Sequence, residues 1–487
     1  MPATSSVHDA APTRQYSQEA RQQLLRRLDE AKLSRFHWKT AVVAGMGFFT
    51  DSYDLFIIGT VLLLIGHDPT MSKSSFFGAT FAANQSLIGS SALIASFVGA
   101  LVFGTLADRI GRKTIYGVEL LILGVGAVAS ALMPNLTLLI IMRFILGIGI
   151  GGDYPVSATI ISEHANSKDR GKLIATVFTM QAAGIVIGYL AAMLILAVGV
   201  QPGIAWRLLL ALGAVPALAT FWLRRRVPET SRFLLDVRAD LSAAEAAALH
   251  SQPVSETVAS APQPLAQPSA SHAPQQRGGL ALLFRSPRFL LLLLGTAGAW
   301  FLLDYAYYGN TISSPIVINH LLGGSASPLE TTLVGFLIVV CAAVPGYIVA
   351  VLMIDKLGRK PIQLLGFALM ALAFGVIALF PAIRESVALF AVVFGVSYFF
   401  TEFGPNTTTF LYPAEVFPTR ARTTAHGISA GLGKVGAFVG VLLFPLLDNN
   451  GHNLALALGV AAITAILGFI LTALILPEPN QRSLEDI

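Results

Sequence analysis

Charged side chains occur inside long apolar stretches of this sequence, where lipid or a protein core would exclude them unless they had a function. Asp304 lies in WFLLDYAYYG (300–309), and Asp153 precedes Tyr154 in the glycine-rich stretch GIGIGGDYPVSATIISE (147–163). An ionisable group inside a membrane-spanning helix costs about 2.5–3.5 kcal/mol on insertion scales and is therefore a functional candidate. A carboxylate can accept a hydrogen bond or carry a proton, and a tyrosine hydroxyl can donate one. These residue types could therefore bind a polar solute and move a proton with it.

Composition places these residues in a membrane. The chain has 487 residues, of which 54% are hydrophobic and 12% charged, with a mean hydropathy of +0.70. Soluble proteins carry about 25% charged residues, so lipid is the solvent that this surface fits. A membrane helix needs about 20 apolar residues. Twelve segments qualify, at 39–66, 86–107, 114–134, 137–162, 172–199, 205–224, 287–316, 330–354, 361–381, 386–412, 424–447 and 454–476.

Lys and Arg concentrate in loops that fall on one side of the membrane if the helices alternate. We call this side the basic face, and it carries DRIGRK (108–113), LRRRVPETSRF (223–233), DKLGRK (355–360) and PTRAR (418–422). The positive-inside rule makes this face cytoplasmic, together with both termini. The net charge of +5 is therefore a topology signal, and we expect no nucleic-acid partner. The polar N-terminal segment lacks the layout of a cleaved signal, and SQEARQQLLRRLDEAK predicts a short surface helix.

The two halves of the chain look like copies of each other. GTLADRIGRK (104–113) recurs as MIDKLGRK (353–360), and Glu163 and Glu415 are 252 residues apart, as are Arg170 and Arg422. Transporters are often built from such parallel repeats with the site between them. We therefore predict an all-α membrane protein with twelve transmembrane helices in two pseudo-symmetric six-helix bundles. The predicted divisions are a cytoplasmic segment (1–38), a bundle (39–226), a largely disordered linker (227–285), a second bundle (286–476) and a tail (477–487).

The spacing of the polar residues favours one central cavity. Trp300, Asp304 and Tyr308 recur every fourth residue, so they share one helix face that cannot point at lipid. The repeat offset brings Tyr154 level with Asn406, and it brings Gln181 within one residue of Lys434. The alternative stays open for each residue: a single tyrosine or glutamine could be a satisfied core group. Arg143 and Glu119 could likewise form a structural ion pair, and Glu402 and His426 are more often structural.

The glycine run around Asp153 contains a literal GxGxxG, but the strand and helix of a dinucleotide fold are missing around it. Glycines along a membrane helix instead let another backbone approach closely. Pro155 is expected to loosen the helix just after Tyr154, because proline lacks an amide donor. The run therefore predicts a transport helix that holds Asp153 and Tyr154 at a cavity.

Five stretches resemble the phosphate:proton symporters of the major facilitator superfamily. The closest likeness is GGDYPVSATIISE, in which Val156 stands where that family usually has Leu. The others are GMGFFTDSYDLF (45–56), WFLLDYAYYG (300–309), FGPNTTTF (403–410) and PAEVFPTRARTTAHGISAGLGKVGA (413–437). The pattern GxxxDRxGRK by itself resembles only the superfamily. The resemblance implies a secondary active transporter that imports inorganic phosphate by proton symport through alternating access.

The resemblance also implies roles for individual residues. The positions that contact phosphate are Tyr154, Gln181, Trp300, Asp304, Tyr308 and Asn406, with Lys434 near them. The positions of the proton route are Asp51 or Asp54, Glu119, Arg143 and Asp153. A cytoplasmic latch is expected at Asp108, Arg109, Arg112, Lys113, Asp355 and Arg359. Alternatively, these charged residues serve only to fix the orientation of the helices in the membrane.

Other functions remain as alternatives. A proton-coupled sugar or organic-anion porter shares PETSRFL (228–234) and PAEVFPTRAR (413–422) with this chain, and a phosphate-sensing receptor is a third possibility. We expect no enzyme, because the sequence shows no nucleophile–base pair, metal cluster or phosphate loop. No cofactor is expected beyond the proton as coupling ion. The expected partners are inorganic phosphate, protons and lipid. The expected location is a plasma membrane or bacterial inner membrane, and the protein is expected to be a monomer.

Overall fold

The structure is a computed structural model that describes residues 18–76, 79–251, 279–324, 326–448 and 453–485. Twelve helices in this part of the chain are long and apolar enough to cross a membrane, which confirms the predicted fold class. Their bounds agree with the twelve predicted segments to within a few residues at most ends, and we number them as spanning helices 1–12.

The first six spanning helices form the N-terminal bundle. Helix 3 contains a turn before its main part, and helix 6 is divided at Gly213. In chain order they are Arg35–Gly66, Phe81–Ile110, Arg112–Ile115 with Val118–Leu132, Leu136–His164, Arg170–Ala197, and Pro202–Leu212 with Ala214–Arg224.

The last six form the C-terminal bundle. Helices 8 and 10 each contain a π-helical turn, at Val339–Ala343 and Glu402–Asn406. In chain order the six are Pro287–Leu321, Pro328–Ile338 continuing to Val344–Leu357, Arg359–Leu379, Val387–Thr401 continuing to Thr407–Val416, Arg422–Asp448, and Leu454–Ile475. The bundles pack against each other through helices 2 and 11, 5 and 8, and 1 and 7.

Shorter elements lie outside the spanning helices. Strands Ser75–Phe76 and Ala79–Thr80 pair antiparallel between helices 1 and 2, and a single turn covers Pro381–Arg384. The surface helix predicted near the N-terminus is confirmed as Gln18–Glu30. Its leucines are buried against the segment that follows helix 6, in a cluster formed by Leu24, Leu25, Leu28, Leu235, Ala244 and Ala248.

The linker is more ordered than its composition predicted. Helices cover Ser231–Asp236, Leu241–Ser251 and Gly279–Arg285, so the prediction of disorder is wrong for these stretches. The Ala-rich sequence of the second helix has high helix propensity. The Asp240 carboxylate accepts a hydrogen bond from the Ala243 amide at 2.9 Å near its start. Residues 252–278, where Pro and Ser concentrate, lie outside the described residues.

Spanning helix 4 explains the glycine run and corrects one expectation. A side chain at Gly151 would overlap the backbone of Ser96 in helix 2, so the predicted close approach of a second helix is confirmed. The Ser96 hydroxyl also donates to the Gly147 carbonyl at 3.0 Å. The expected loosening after Tyr154 is wrong, because the helix runs unbroken from Leu136 to His164 through Pro155.

The irregular backbone lies instead in helix 10. Gly404 has non-helical dihedrals (φ −100°, ψ −113°) and precedes Pro405, which cannot donate a backbone hydrogen bond. Irregular backbone at membrane depth is tolerated where it is buried in protein or lines a cavity. All five residues of this turn are buried, and the turn carries Glu402 and Asn406 toward the centre of the molecule.

Candidate functional site

A buried lysine lies at the interface of the two bundles. Lys434 Nζ, on helix 11, donates to Asp304 Oδ2 at 2.9 Å and to the Tyr308 hydroxyl at 3.0 Å, both on helix 7. The ammonium group also lies 4.6 Å from the ring centroid of Tyr154 and 4.3 Å from that of Tyr308. Cation–π contacts of this length are attractive, and more so when they are desolvated. One carboxylate and two aromatic rings therefore hold this cation away from water.

Aromatic side chains from both bundles enclose this group. Tyr154 and Trp300 have ring centroids 6.0 Å apart, and Phe56 stacks on Tyr308 at 5.6 Å. Phe410 of helix 10 lies 6.3 Å from Tyr154 and 6.4 Å from Trp300. The five residues Tyr154, Trp300, Asp304, Tyr308 and Lys434 are all at most 2% exposed. We call them the lysine cluster.

Gln181 and Asn406 belong to a second group of polar side chains. Asn406 Nδ2, which has two hydrogens to donate, lies within hydrogen-bonding distance of Glu402 Oε2 at 2.5 Å, the Tyr347 hydroxyl at 3.0 Å and Gln181 Oε1 at 3.3 Å. The Tyr347 hydroxyl donates to the same Gln181 oxygen at 2.5 Å. We call Gln181, Tyr347, Glu402 and Asn406 the amide cluster. Phe178 and Phe410, stacked at 4.8 Å, link it to the lysine cluster, because Phe178 also faces Tyr347 at 6.2 Å.

The seven residues assigned to substrate binding therefore fall into two neighbouring clusters. Tyr347 was missed in the sequence, where PGYIVA carries no charge and no repeat partner that would mark it. Glu402 was interpreted as structural because it lies near a predicted helix end, but its carboxylate is fully buried within the amide cluster. Together the clusters offer amide, hydroxyl and ammonium donors beside the carboxylates of Asp304 and Glu402.

A second ionic group lies within the N-terminal bundle. Arg224 Nη1, at the end of helix 6, contacts Glu119 Oε1 at 2.7 Å and Asp153 Oδ1 at 2.5 Å. Its Nη2 donates to Asp153 Oδ2 at 3.0 Å and to the Ala44 carbonyl at 2.8 Å. A side chain at Gly47 would overlap the guanidinium group, so this glycine makes room for it. Arg224 is fully buried, and it is the shared ion-pair partner of the Glu119 and Asp153 carboxylates.

Arg224 replaces the partner that the sequence suggested for Glu119. The alternative pairing of Glu119 with Arg143 is wrong, because Arg143 faces Asp54 instead. Both side chains are fully buried, yet neither makes a side-chain hydrogen bond within the described residues. Asp51 is fully buried as well, and its electrostatic neighbours include Asp54 of one group and Asp153 and Arg224 of the other. The five residues predicted for the proton route thus lie in one bundle, and Asp51 has electrostatic neighbours in both groups.

Two carboxylates of the basic face cap helices of the opposite bundle. Asp108, at the end of helix 2, accepts from the backbone amides of Thr424 at 2.7 Å and Thr423 at 3.4 Å at the start of helix 11. Asp355, at the end of helix 8, accepts from the Lys172 amide at 2.7 Å at the start of helix 5. The first amides of a helix lack internal partners and favour an anion, so each cap ties one bundle to the other.

Two glutamates reinforce these caps with arginines from both bundles. Glu163 Oε1 contacts Arg112 at 3.1 Å and Arg422 at 3.0 Å. Its counterpart Glu415 contacts Arg359 at 2.7 Å and Arg170 at 3.1 Å. We call the two caps and these six residues the basic-face gate, and its contacts hold this end of the molecule closed.

The gate corrects the predicted latch in part. Asp108, Arg112, Asp355 and Arg359 all belong to the gate, and each aspartate also pairs with the arginine four residues further on. Arg109 and Lys113 are exposed and form no ion pair within the described ranges. The sequence analysis missed Glu163, Glu415, Arg170 and Arg422 as gate residues, although their equal spacing in the two halves was the signal that marked them.

We expect Glu163→Gln to open the basic face. Losing one partner of a buried ion pair costs roughly 3–5 kcal/mol, because Arg112 and Arg422 then lose the carboxylate that they share. A cysteine at buried Thr423 in a Cys341→Ser background reports opening through labelling by a membrane-impermeant maleimide. We expect labelling to rise by about tenfold or more. The exposed loop residue Glu385 supplies the control Glu385→Gln, and equal labelling in both variants would contradict the gate.

Comparisons with known proteins agree with this architecture. The model of the sugar (and other) transporter family matches residues 40–487. The solved structure of the major facilitator superfamily proton:xylose symporter XylE, bound to 6-bromo-6-deoxy-D-glucose, has a TM-score of 0.76 to this chain. The two are 20% identical, and the match covers 93% of this chain and 98% of that one. The chain therefore belongs to the sugar (and other) transporter family and has the major facilitator fold.

Curated relatives narrow the family further. Inorganic phosphate transporter 1-11 of Oryza sativa subsp. japonica is 38% identical, covering 94% of this chain and 89% of its own. Probable inorganic phosphate transporter 1-6 of Arabidopsis thaliana is 37% identical, covering 95% and 96%. Within the larger family, the chain belongs with these inorganic phosphate transporters, which confirms the resemblance found in the sequence.

Proposed function

We propose that this protein imports inorganic phosphate together with protons by alternating access. The observation that carries the proposal is the lysine cluster, in which Lys434 and Asp304 meet at the interface of the two bundles. A site between two repeats can face either side of the membrane as the bundles rock against each other. The names of the relatives support phosphate as the substrate, and the buried donors of both clusters suit an oxyanion.

The pairing of Lys434 with Asp304 suits an anion that carries its own protons. Dihydrogen phosphate accepts hydrogen bonds through its oxygens and donates them through its hydroxyls, whereas sulfate at neutral pH only accepts. The Asp304 carboxylate can accept from a phosphate hydroxyl, but it would repel sulfate and leave both groups unpaired. Lys434 offsets the combined negative charge of the anion and the carboxylate, and Tyr154, Trp300 and Tyr308 complete the donor set.

The ionic groups of the N-terminal bundle supply the proton step in this proposal. A carboxyl group in a partly dry cavity favours its neutral form when no cation compensates it. Asp153 lies next to Tyr154 in the sequence and shares Arg224 with Glu119. A proton on one of these two carboxyls leaves the other to Arg224 alone, which reduces repulsion of an entering anion. The Asp54–Arg143 pair is the second ionic group of this bundle that we assign to the proton route.

The proposal also covers the membrane location, topology and oligomeric state of the protein. The protein is an integral membrane protein with twelve spanning helices, and we place its basic face and both termini in the cytoplasm. The membrane is a plasma membrane or a bacterial inner membrane. We infer a transporter without enzymatic activity or cofactor, which works as a monomer in lipid and needs no nucleic acid. The basic-face gate is closed in the described conformation, so inward release requires its ion pairs to separate.

The test is uptake of labelled phosphate into proteoliposomes with an imposed inward proton gradient. We expect accumulation that a protonophore abolishes, that excess sulfate and glucose leave unchanged, and that arsenate inhibits. Competition by glucose, or failure of phosphate to accumulate, would contradict the proposal. In that case a sugar porter becomes the better interpretation, since the matching family is that of sugar (and other) transporters and the structural neighbour is a xylose symporter.

We expect Asp153→Asn to separate binding from accumulation. The substitution removes the carboxylate that shares Arg224 with Glu119, so a proton can no longer be exchanged at this position, while the lysine cluster stays intact. The variant should catalyse exchange of labelled for unlabelled phosphate across the bilayer, yet fail to concentrate phosphate when a proton gradient is imposed. Glu330→Gln, at the capping box of helix 8, is the control. Accumulation by Asp153→Asn at the wild-type level would remove Asp153 from coupling.

A further inference from the structure

Glu402 is a fully buried acid of the amide cluster that pairs with no cation. Its Oε2 lies 2.5 Å from Asn406 Nδ2, whereas its Oε1 makes no hydrogen bond within the described residues. In the same part of the chain, no Lys, Arg or His lies within ion-pair distance of Glu402, since Lys434 of the neighbouring cluster pairs with Asp304. Buried polar atoms are normally hydrogen-bonded, so the unpartnered oxygen beside the substrate residues points to a ligand.

The groups that face Glu402 come from three spanning helices. Helix 7 contributes Asp304 and Tyr307, helix 8 contributes Tyr347, and helix 10 itself contributes Asn406 and Tyr398. The tyrosines and the asparagine are neutral hydrogen-bonding groups, and Asp304 is a second acid. A negative charge on Glu402 would therefore face another negative charge.

The backbone around Glu402 is held in place by contacts with its own helix and with helix 8. The Glu402 carbonyl accepts a hydrogen bond from the Thr407 hydroxyl at 2.6 Å, across the π-helical turn. Helix 8 approaches closely because Gly346 has no side chain, and a Cβ there would lie 3.1 Å from the Cβ of Glu402. This approach also brings Tyr347, the next residue, into the amide cluster. The acid is therefore built into the wall of the site.

The charges of the site determine the form of Glu402 that suits an anion. Lys434 supplies one positive charge, Asp304 one negative charge, and a bound dihydrogen phosphate a second negative charge. An ionised Glu402 would add a third negative charge with no compensating partner in a fully buried place. Burying an isolated carboxylate costs far more than burying a neutral carboxyl group. Charge balance therefore favours a protonated Glu402 when the anion is bound.

We propose that Glu402 is protonated and donates a hydrogen bond from Oε1 to the bound phosphate, while its Oε2 accepts from Asn406. The inference rests on the proposed phosphate transport and adds a specificity residue to the same site. Asp304 accepts from a phosphate hydroxyl, whereas Glu402 donates to a phosphate oxygen. A protonated carboxyl group has both a donor and an acceptor, so it meets an oxyanion without repelling it. Glu402 keeps its proton through the cycle, which separates it from the proton route of the N-terminal bundle.

The first test is infrared difference spectroscopy of the purified full-length protein with and without inorganic phosphate. A protonated carboxyl group has a C=O stretching band that a carboxylate lacks. We expect such a band to shift when phosphate binds to the wild type, and to be missing from the same difference spectrum of Glu402→Gln. Glu385→Gln, in an exposed loop, is the control and should retain the shift. An equal signal in Glu402→Gln, or no carboxyl band in the wild-type difference spectrum, would overturn the proposal.

The second test measures phosphate affinity by titration calorimetry. Glu402→Gln is neutral and keeps a donor and an acceptor, so its affinity should stay within about threefold of the wild type. Glu402→Met removes the donor and should lose about 10- to 100-fold, the range for a hydrogen bond to a charged ligand. An ionised Glu402 predicts the opposite for Glu402→Gln, because removal of a repelling charge would tighten binding. Tighter binding in Glu402→Gln would therefore overturn the proposal even if Glu402→Met does not fold.

Two further outcomes distinguish this inference from the proposed function. Glu402→Gln should still accumulate phosphate in response to a proton gradient; exchange without accumulation would mean that Glu402 carries a transported proton, which overturns the permanent one. If the wild type binds phosphate but no carboxyl band shifts, only the role of Glu402 fails. If the wild type binds no phosphate at all, the proposed function fails and this inference fails with it.

Discussion

Arg224→Met is expected to abolish accumulation of phosphate driven by a proton gradient. The guanidinium group of Arg224 is the shared ionic partner of Glu119 at 2.7 Å and of Asp153 at 2.5 Å. Without it, two fully buried carboxyl groups face each other with no cation between them, an arrangement that costs roughly 3–5 kcal/mol when both stay charged. Both groups should therefore stay protonated throughout the cycle. A carrier that cannot release its proton on the inner side loses coupling.

The measurement is uptake of labelled phosphate as a function of the imposed pH difference. The wild type should respond steeply, whereas Arg224→Met should give a flat profile. Arg225→Met is the matched control, because Arg225 is the next residue but is exposed, with its guanidinium group over Phe221 at 4.9 Å. Arg224→Lys keeps the charge but loses the second nitrogen of the fork, and we expect it to restore part of the response.

A second variant guards against a simple folding defect. Arg224→Met/Glu119→Gln/Asp153→Asn removes the cation and both carboxylates, so no uncompensated charge stays buried and the melting temperature should recover. Because this variant also lacks Asp153, it should exchange labelled for unlabelled phosphate without concentrating it. Recovery of both stability and accumulation would mean that Arg224 and the two carboxylates act only in the fold. A wild-type pH response in Arg224→Met would contradict the role altogether.

Arg224 also shows what the sequence could not reveal. It lies in LRRRVPETSRF, where three consecutive arginines at a helix end indicate a topology anchor. In the structure Arg225 and Arg226 are exposed, while Arg224 is fully buried. Its burial follows from the helix face that it shares with Thr220, one turn earlier, and Ala217, two turns earlier, both of which are fully buried. The spacing was visible, but which of the three guanidinium groups meets two carboxylates depends on the packing of helices 3, 4 and 6.

The number of spanning helices was more predictable than their local geometry. Long apolar runs report burial in lipid independently of partners, so twelve segments could be located from hydropathy alone. Proline predicted local geometry less well, because Pro155 lies in an uninterrupted helix whereas Pro405 lies in the irregular turn. The difference lies in the neighbours: Gly404 packs directly on the backbone of Gly366 in helix 9, a tertiary contact that no local pattern contains.

The grouping of the substrate residues was also only partly predictable from local sequence patterns. The spacing of Trp300, Asp304 and Tyr308 on one helix face was sufficient to group them, and all three meet in the lysine cluster. The position of Asn406 relative to Asp304 was not predictable, because the π-helical turn at Glu402–Asn406 shifts the register of helix 10. The two substrate clusters therefore became separable only in the structure.

Asp304→Asn is expected to reduce phosphate uptake by about 100-fold and to admit sulfate as a competitor. Asp304 is fully buried, and its carboxylate is the ion-pair partner of Lys434 at 2.9 Å. An amide keeps the size of the side chain but removes the charge, so a phosphate hydroxyl meets a weaker acceptor and Lys434 loses its compensation. Sites built around a buried hydrogen bond discriminate strongly against ligands that lack the partner, by about 10⁴-fold or more.

The competition experiment distinguishes a specific acceptor from a merely structural ion pair. In the wild type, excess sulfate should leave phosphate uptake unchanged, because two acceptors would face each other. In Asp304→Asn the amide can turn its NH₂ group toward a sulfate oxygen, and sulfate should then inhibit the residual uptake. Asp304→Glu keeps an acceptor carboxylate and should continue to exclude sulfate even if uptake is slow. If Asp304→Asn binds phosphate and still excludes sulfate, the carboxylate does not set the specificity, and the selectivity must come from the amide cluster around Asn406 and Tyr347.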